Sequence, residues 1–93
     1  MPSYRRKPVD VVIDVRSHLE FWMGHLKGAI CIPVGNLPDA MVKHAEIAKD
    51  ARILVYCASG ARSAMAASML TAHGYRRVTD AGAMAKAREA YEG

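Results

Sequence analysis

The stretch that decides the fold runs from Ile53 to Ser63 and reads Ile-Leu-Val-Tyr-Cys-Ala-Ser-Gly-Ala-Arg-Ser. Four apolar residues lead into Cys57, and an alanine-rich segment ending at Gly74 follows. The pattern predicts a buried strand, a tight loop and a helix, with Cys57 at the junction of strand and loop. A cysteine placed there faces the unpaired N–H groups and the positive dipole end of the helix, and both favour thiolate over thiol.

Strands and helices alternate along the rest of the chain. We expect strands over Val9–Val15, Ala29–Ile32, Arg52–Tyr56 and Arg77–Thr79, and helices over His18–Met23, from Asp39 towards Lys49, Ala61–His73 and Ala83–Tyr91. Alternation at this spacing predicts an α/β fold with a parallel sheet of about four strands flanked by helices. Ligands of such sheets bind at the carboxyl ends of the strands, which is where Cys57 lies.

Three local signals belong to this assignment. Ser17 is placed to cap the helix that starts at His18, and Gly24 ends it. Gly74 is a plausible left-handed cap at the end of the alanine-rich helix. We also expect Phe21 or Trp22 to anchor the short helix to the core, with a place at the mouth of the site as the alternative.

Composition limits the function classes. The 93 residues, 52% of them hydrophobic, allow one domain with one core, spanning 1–93. The two cysteines fall at the ends of predicted interior strands, so we take both as free thiols in a reducing compartment and expect a cytoplasmic protein. No segment approaches the ~20 apolar residues of a membrane span, and no signal-peptide core follows the basic N-terminus.

The net charge of +4 favours solubility, or the attraction of a small anion to a positive mouth. A nucleic-acid partner is not expected, because Arg5-Arg6-Lys7 and Arg76-Arg77 are short and lack interleaved aromatic residues.

The loop from Cys57 to Arg62 has the composition of an anion nest. Gly60 supplies the φ freedom that an inward curl of backbone N–H groups needs, and Arg62 adds a permanent positive charge. Three short side chains, those of Ala58, Ser59 and Ala61, leave the centre open, and the hydroxyl of Ser63 can bond to the loop or to sulfur.

No general base follows Cys57 at short range, since His73 is about 15 Å away at the usual helical rise. The pattern therefore suits chemistry in which sulfur is both nucleophile and leaving group.

Residues Cys57–Ser63 resemble the active-site loop of the rhodanese, or sulfurtransferase, family. Asp14-Val15-Arg16, with Glu20-Phe21 after it, resembles the first signature of that family, and Gly24–Pro33 resembles the second. The resemblance covers roughly Val9 to Gly82. It implies a compact rhodanese-like domain and a thiosulfate sulfurtransferase that needs no metal and no cofactor.

The implied mechanism passes through a persulfide. Cys57 attacks the outer sulfur of a donor such as thiosulfate, the N–H groups of the loop hold the product, and Ala58, Ser59, Gly60, Ala61, Arg62 and Ser63 contact the substrate. Cyanide or a thiol, for example on a thioredoxin-like protein, then removes the sulfur.

The chain departs from the family in three places. Only eight residues precede Val9, where the family commonly has a further strand and helix, so we expect an N-terminally shortened sheet. Cys31 stands where the family usually has Asn, and is either buried or a resolving thiol. Ala81-Gly82 and Lys86 stand where the family often has Gly-Gly and Trp.

We expect three polar residues to support the site rather than react. Asp14 and Arg16 tie the end of the first strand to neighbouring loops by charge-assisted hydrogen bonds, although substrate contact is the alternative. His25 bonds backbone in the turn before the second strand. The other histidines are scattered, without the spacing of metal ligands.

Three other functions remain open. A persulfide carrier between proteins needs the same cysteine. Phosphatases and arsenate reductases of related fold carry Cys-x5-Arg, whereas four residues separate Cys57 from Arg62 here, which makes a tighter cradle. Non-catalytic rhodanese-like binding modules usually lack the cysteine.

Overall fold

A computed structural model describes every residue from Met1 to Gly93. The strands are β1 (Ser3–Tyr4), β2 (Lys7–Pro8), β3 (Val11–Asp14), β4 (Ile30–Cys31), β5 (Arg52–Cys57), β6 (Arg77–Ala83) and β7 (Tyr91–Glu92). The α-helices are α1 (His18–Met23), α2 (Ala61–Ala72) and α3 (Met84–Ala90). Strands β4, β3, β5 and β6 form, in that order, a four-stranded sheet in which every pair is parallel. The α/β fold expected from the sequence is confirmed.

Strand β5 has both faces covered, which explains its uninterrupted apolar sequence. Ile53, Val55 and Cys57 belong to the core cluster that includes Ala66 and Leu70 of α2. Leu54 and Tyr56 belong to the second cluster, on the opposite face, which includes Ala87 of α3. The alternation fixes which way Cys57 points, because neighbouring residues of a strand face opposite sides of the sheet.

A second sheet joins the two ends of the chain and was not expected from the sequence. It is antiparallel, with β1 between β2 and β7. The loop between β1 and β2 consists of Arg5 and Arg6, both at positive φ (50° and 64°). Positive φ at both central residues is the mark of a type I′ hairpin turn, which normally carries Asn and Gly.

Two segments end more than two residues away from the boundaries predicted from the sequence. The helix expected from Asp39 towards Lys49 is a 3₁₀ helix, Asp39–His44, because its apolar positions do not form one buried stripe: Met41 is buried and Val42 is 82% exposed. Strand β6 continues to Ala83 instead of ending at Thr79, since a shift of register near Cys57 lets it keep pairing with β5.

Helix α1 is held by polar contacts. Ser17 caps it as expected, in a reciprocal capping box with Glu20. The expected aromatic anchor is wrong: no residue of α1 is buried, and Trp22 is 81% exposed. Phe21 instead stacks on His25, with ring centroids 3.7 Å apart.

No helix of the structure has the length and apolar character needed to cross a membrane.

Candidate active site at Cys57

Cys57 is the last residue of β5 and has no exposed surface. Its Sγ accepts the backbone N–H of Gly60 at 2.9 Å and that of Ser63 at 3.3 Å. The Oγ of Ser63 lies 3.5 Å from the same sulfur. The end of β5 therefore places the sulfur inside a ring of hydrogen-bond donors from the loop and the first turn of α2, as the sequence predicts for an anion nest.

Gly60 makes the ring sterically possible. It precedes α2 with φ of 107°, in the left-handed region that side chains rarely adopt, and an added Cβ would meet no atom within 4 Å. Its N–H points to sulfur, while its carbonyl accepts the N–H of Ala64 at 3.1 Å and lies 3.1 Å from the hydroxyl oxygen of Ser63. One peptide group thus ties the loop to the helix and turns its donor inward.

The environment favours the thiolate of Cys57. Burial alone would raise the pKa of the thiol, because a charged sulfur loses its water. The hydrogen bonds from Ser63, through hydroxyl and N–H, and from the N–H groups of Gly60 and Ser59 act in the other direction and prevail, so the pKa lies below its ordinary value. This direction matches the expectation from the sequence.

Arg62 occupies the rim of the site and is not free. Its two terminal nitrogens contact the Glu20 carboxylate at 2.7 and 3.0 Å. The pair raises the pKa of Arg62, chiefly through the bond to Glu20 and to a lesser degree through the charge of Cys57. The guanidinium expected to close the ring is therefore shared with α1, and the positive charge at the mouth is partly neutralised.

The rest of the loop forms an open mouth. Ala58, Ser59 and Ala61 are exposed, and Arg62 is only partly buried. Short side chains at these positions leave the backbone donors as the main chemical feature that an incoming anion meets.

Asp14 and Arg16 form a buried polar network behind the site. The guanidinium of Arg16 donates to both carboxylate oxygens of Asp14 at 2.7–3.1 Å and to the carbonyl of Gly24 at 2.6 Å. The hydroxyl of Tyr56 donates to Asp14 at 2.7 Å and accepts the N–H of Leu26 at 3.0 Å. These bonds tie β3 and β5 to the turn after α1, the tying role that the sequence suggested.

Tyr56 is the residue that the sequence analysis missed. It lies beside Cys57 in an apolar run, where its hydroxyl gave no signal of its own. Burial, more than the bond to Asp14, raises its pKa, so the phenol stays neutral and serves as a bridge.

His25 and Cys31 lie away from the sulfur of Cys57. His25 is exposed, and its Nδ1 bonds the carbonyl of Phe21 at 2.8 Å, the backbone contact expected of it. Cys31 pairs in register with Asp14, which pairs with Tyr56, so these three face one side of the sheet and Cys57 faces the other. The option that Cys31 resolves a Cys57 persulfide is therefore wrong for this fold.

No group of three or more His, Cys, Asp or Glu residues is gathered in a way that could hold a metal ion.

A parallel α/β sheet with a cysteine in a ring of backbone N–H donors defines a class of thiolate proteins, and comparison with known families identifies the family. Residues 3–83 match the family described as the rhodanese-like domain. The chain belongs to the rhodanese-like family.

Solved structures agree with this placement. A rhodanese with bound anions from E. coli superposes with a TM-score of 0.78 at 28% identity, over 88% of this chain and 95% of that one. A human single-domain sulfurtransferase superposes with a TM-score of 0.70 at 26% identity, over 85% of this chain and 80% of that one.

Among curated relatives, the tRNA uridine(34) hydroxylase of Enterobacter sp. (strain 638) is 32% identical over 90 residues. The protein of that name from Cronobacter sakazakii is equally similar. Each alignment spans 91% of this chain but only 26% of the relative, so the chain corresponds to about a quarter of those proteins.

Proposed function

We propose that the chain is a sulfurtransferase that moves a sulfane sulfur from thiosulfate, or a related anionic donor, to cyanide or a thiol through a persulfide on Cys57. The observation that carries the proposal is the set of donors around Sγ: two N–H groups and one hydroxyl, at 2.9 to 3.5 Å, with no carboxylate or imidazole in contact. Such a site stabilises a sulfur anion and supplies no proton relay.

The bonds and electrons balance in two displacements. The Cys57 thiolate attacks the outer sulfur of thiosulfate, the sulfur–sulfur bond of the donor breaks, and sulfite leaves with the electron pair. The terminal sulfur of the resulting persulfide is then attacked by cyanide or by a thiolate. Thiocyanate or an acceptor persulfide leaves, and the Cys57 thiolate returns. The negative charge stays within reach of the same N–H groups throughout, so they assist both steps.

The first experiment is intact-mass analysis after exposure to thiosulfate, followed by a thiocyanate assay with cyanide. We expect wild type and the matched control Cys31→Ser to gain one sulfur atom and to form thiocyanate. Cys57→Ser is expected to do neither, because the hydroxyl is a far weaker nucleophile. Sulfur uptake by Cys57→Ser would refute the assignment of the nucleophile.

A second experiment examines the mouth of the site. A donor anion that contacts Arg62 has to compete with the carboxylate of Glu20. Glu20→Gln removes that charge while keeping an amide that can still complete the capping box. We expect KM for thiosulfate to fall in Glu20→Gln and to rise in Arg62→Ala, with folding of both verified by circular dichroism. An unchanged KM in both variants would exclude Arg62 from donor binding.

The same experiments separate the other functions. A persulfide carrier gains sulfur in the mass measurement but forms little thiocyanate from small substrates. A phosphatase hydrolyses an aryl phosphate and gains no sulfur, and a binding module does neither. The activity named for the tRNA uridine(34) hydroxylases belongs to proteins about four times as long. For this chain we propose sulfur transfer and no activity on tRNA uridine.

A further inference from the structure

A basic cavity lies at the end of the sheet opposite Cys57. Its volume is about 360 Å³. Arg52, the first residue of β5, lines it, and Cys57, the last residue of β5, lies about 17 Å from Arg52 at the usual strand rise. Five of its lining residues are cationic, and none is acidic: Arg5, Lys7, Arg52, Arg76 and Arg77. Nothing in the sulfur chemistry described above uses these residues.

The charge of the whole chain is concentrated in this cavity. The chain has 13 Lys and Arg residues against nine Asp and Glu residues, so the eight basic residues outside the cavity are balanced by the nine acidic ones. Only Arg52 of the five cations is in an ion pair, with Asp10 at 2.8 Å. Its hydrogen bonds, and to a smaller extent the charge of Arg77, lower the pKa of Asp10 to about 2. The other four cations are exposed and form no ion pair.

The fold brings together basic runs that the sequence keeps apart. Arg5 and Lys7 lie in the first hairpin, and Arg76 and Arg77 lie at the start of β6. All four line the cavity, together with an aromatic residue, Tyr4. The Arg5 guanidinium lies 5.4 Å from the centroid of the Tyr4 ring. The expectation of no nucleic-acid partner treated the two runs as separate and too short, whereas the fold places them around one cavity.

The lining has the two components that a single nucleic-acid strand requires. Val9 and Leu54, which belong to the same core cluster, give the cavity an apolar lining, and Tyr4 adds a ring onto which a base can stack. The rim carries the exposed cations that neutralise phosphates. A volume of this size lies at the lower end of the range of ligand cavities, which suits one nucleotide at a time.

We propose that this cavity binds the phosphate backbone of a single-stranded nucleic acid, with one nucleotide seated against Tyr4 between Arg5 and Arg77. The site is separate from Cys57 and does not depend on the proposed sulfur transfer. An acidic protein segment would meet the same charges but would gain little from an aromatic face, so the test includes it as a competitor.

The hairpin supplies a matched pair of variants. Arg5 lines the cavity and Arg6 does not, yet both occupy positive-φ positions of the same two-residue turn. Arg5→Asn and Arg6→Gly each remove one positive charge, and each places a residue that the turn prefers. Both variants are expected to unfold at or above the temperature of wild type, so a loss of binding in one of them is not a loss of folding.

The assay is fluorescence anisotropy of a labelled single-stranded oligouridylate of about ten nucleotides with the full chain. Titrations at about 50 mM and about 200 mM salt give the salt dependence. We expect Arg5→Asn to weaken binding by about threefold to tenfold and to lower the salt slope by about 0.7, the value of one phosphate contact. Arg6→Gly should bind as wild type does. Arg77→Gln should match Arg5→Asn, with Lys43→Gln, exposed on the 3₁₀ helix, as its unaffected control.

Three results would overturn the proposal. The first is equal affinity of the Arg5→Asn and Arg6→Gly variants, since the cavity would then play no part. The second is displacement of the oligonucleotide by a polyglutamate peptide as readily as by unlabelled oligouridylate, which would make an acidic protein the occupant. The third is no binding by wild type at the lower salt concentration.

Discussion

Replacing Ser63 with Ala tests whether the donors around Sγ set the chemistry of Cys57. Ser63 is buried, and its Oγ lies 3.5 Å from the sulfur and 3.1 Å from the carbonyl of Gly60, so its single proton can be donated to the thiolate or to that carbonyl. The substitution removes the only side-chain hydroxyl in the ring. It leaves no orphaned acceptor, because the carbonyl of Gly60 keeps the N–H of Ala64 at 3.1 Å.

The expected magnitude follows from the kind of bond that is lost. A hydrogen bond to a charged group contributes about 1.5–3 kcal/mol, and the long contact here favours the lower end of that range. Because one pKa unit corresponds to about 1.4 kcal/mol, the pKa of Cys57 should rise by about one unit in Ser63→Ala. At any pH well below the pKa of the wild-type thiol, the thiolate fraction of Ser63→Ala should be about tenfold smaller than that of wild type, and the rate of sulfur uptake from thiosulfate should fall with it.

The measurement is an NMR titration of the isotope-labelled Cβ of Cys57, with sulfur uptake followed by mass spectrometry over the same pH range. Ser68→Ala is the control, since Ser68 is an exposed residue of the same helix. An uptake rate that recovers at higher pH in Ser63→Ala identifies a loss of thiolate. A pKa that matches wild type would refute the reasoning, because the backbone N–H groups alone would then hold the charge.

Three further predictions concern stability, each measured by urea unfolding. Gly60→Ala should lower the free energy of unfolding by about 1 kcal/mol, because Ala has to adopt a φ of 107° there. Gly35→Ala is the control: φ is ordinary at Gly35, an added Cβ would also meet no atom within 4 Å, and no loss of stability is expected. Equal losses in the two variants would contradict this reasoning. Tyr56→Phe should lower the free energy of unfolding by about 2 kcal/mol, because it leaves the buried N–H of Leu26 without a partner and removes one of the hydrogen bonds to Asp14. Tyr75→Phe, which loses no hydrogen bond, is the control. The hydrogen bond from Arg62 is the main reason why the pKa of Glu20 is lowered to about 2 in the folded chain. The ionised carboxylate therefore contributes its full stabilisation above the unfolded pKa of 4.5, and this contribution is lost as the pH falls towards 2. The difference in the free energy of unfolding between wild type and Glu20→Gln should shrink over that range, and a constant difference would exclude the ion pair as its source.

The central part of the fold could be predicted because its signals are local. The apolar run of β5, Gly60 and the alanine-rich helix adjoin one another, and each limits the next to one conformation. The small second sheet left no such signal. Ser3 pairs with Glu92 at the other end of the chain, and strands of two residues carry no period that a pattern could reveal.

The residues of the candidate site show the same difference between local and distant signals. Residue types showed that Cys57 would meet N–H groups, because those donors come from the backbone that follows it. They could not show that Arg62 bonds Glu20, which lies 42 residues earlier, since a cation near a site can bind either a substrate or another residue. The hydrogen bond of the Tyr56 hydroxyl could not be predicted for the same reason, because its partner Asp14 lies on another strand.

The two faces of the sheet decide where a sulfur on Cys57 can go. Cys31 follows Ile30 on β4 and faces the side of Tyr56, so the body of the sheet separates its sulfur from that of Cys57. Burial also raises the pKa of Cys31, which leaves it a poor nucleophile. A persulfide formed under the proposed function can therefore lose its sulfur only to an acceptor from outside the chain. Since Cys57 has no exposed surface and the mouth is lined by Ala58, Ser59 and Ala61, that acceptor has to be small or has to present its thiol on a narrow projection.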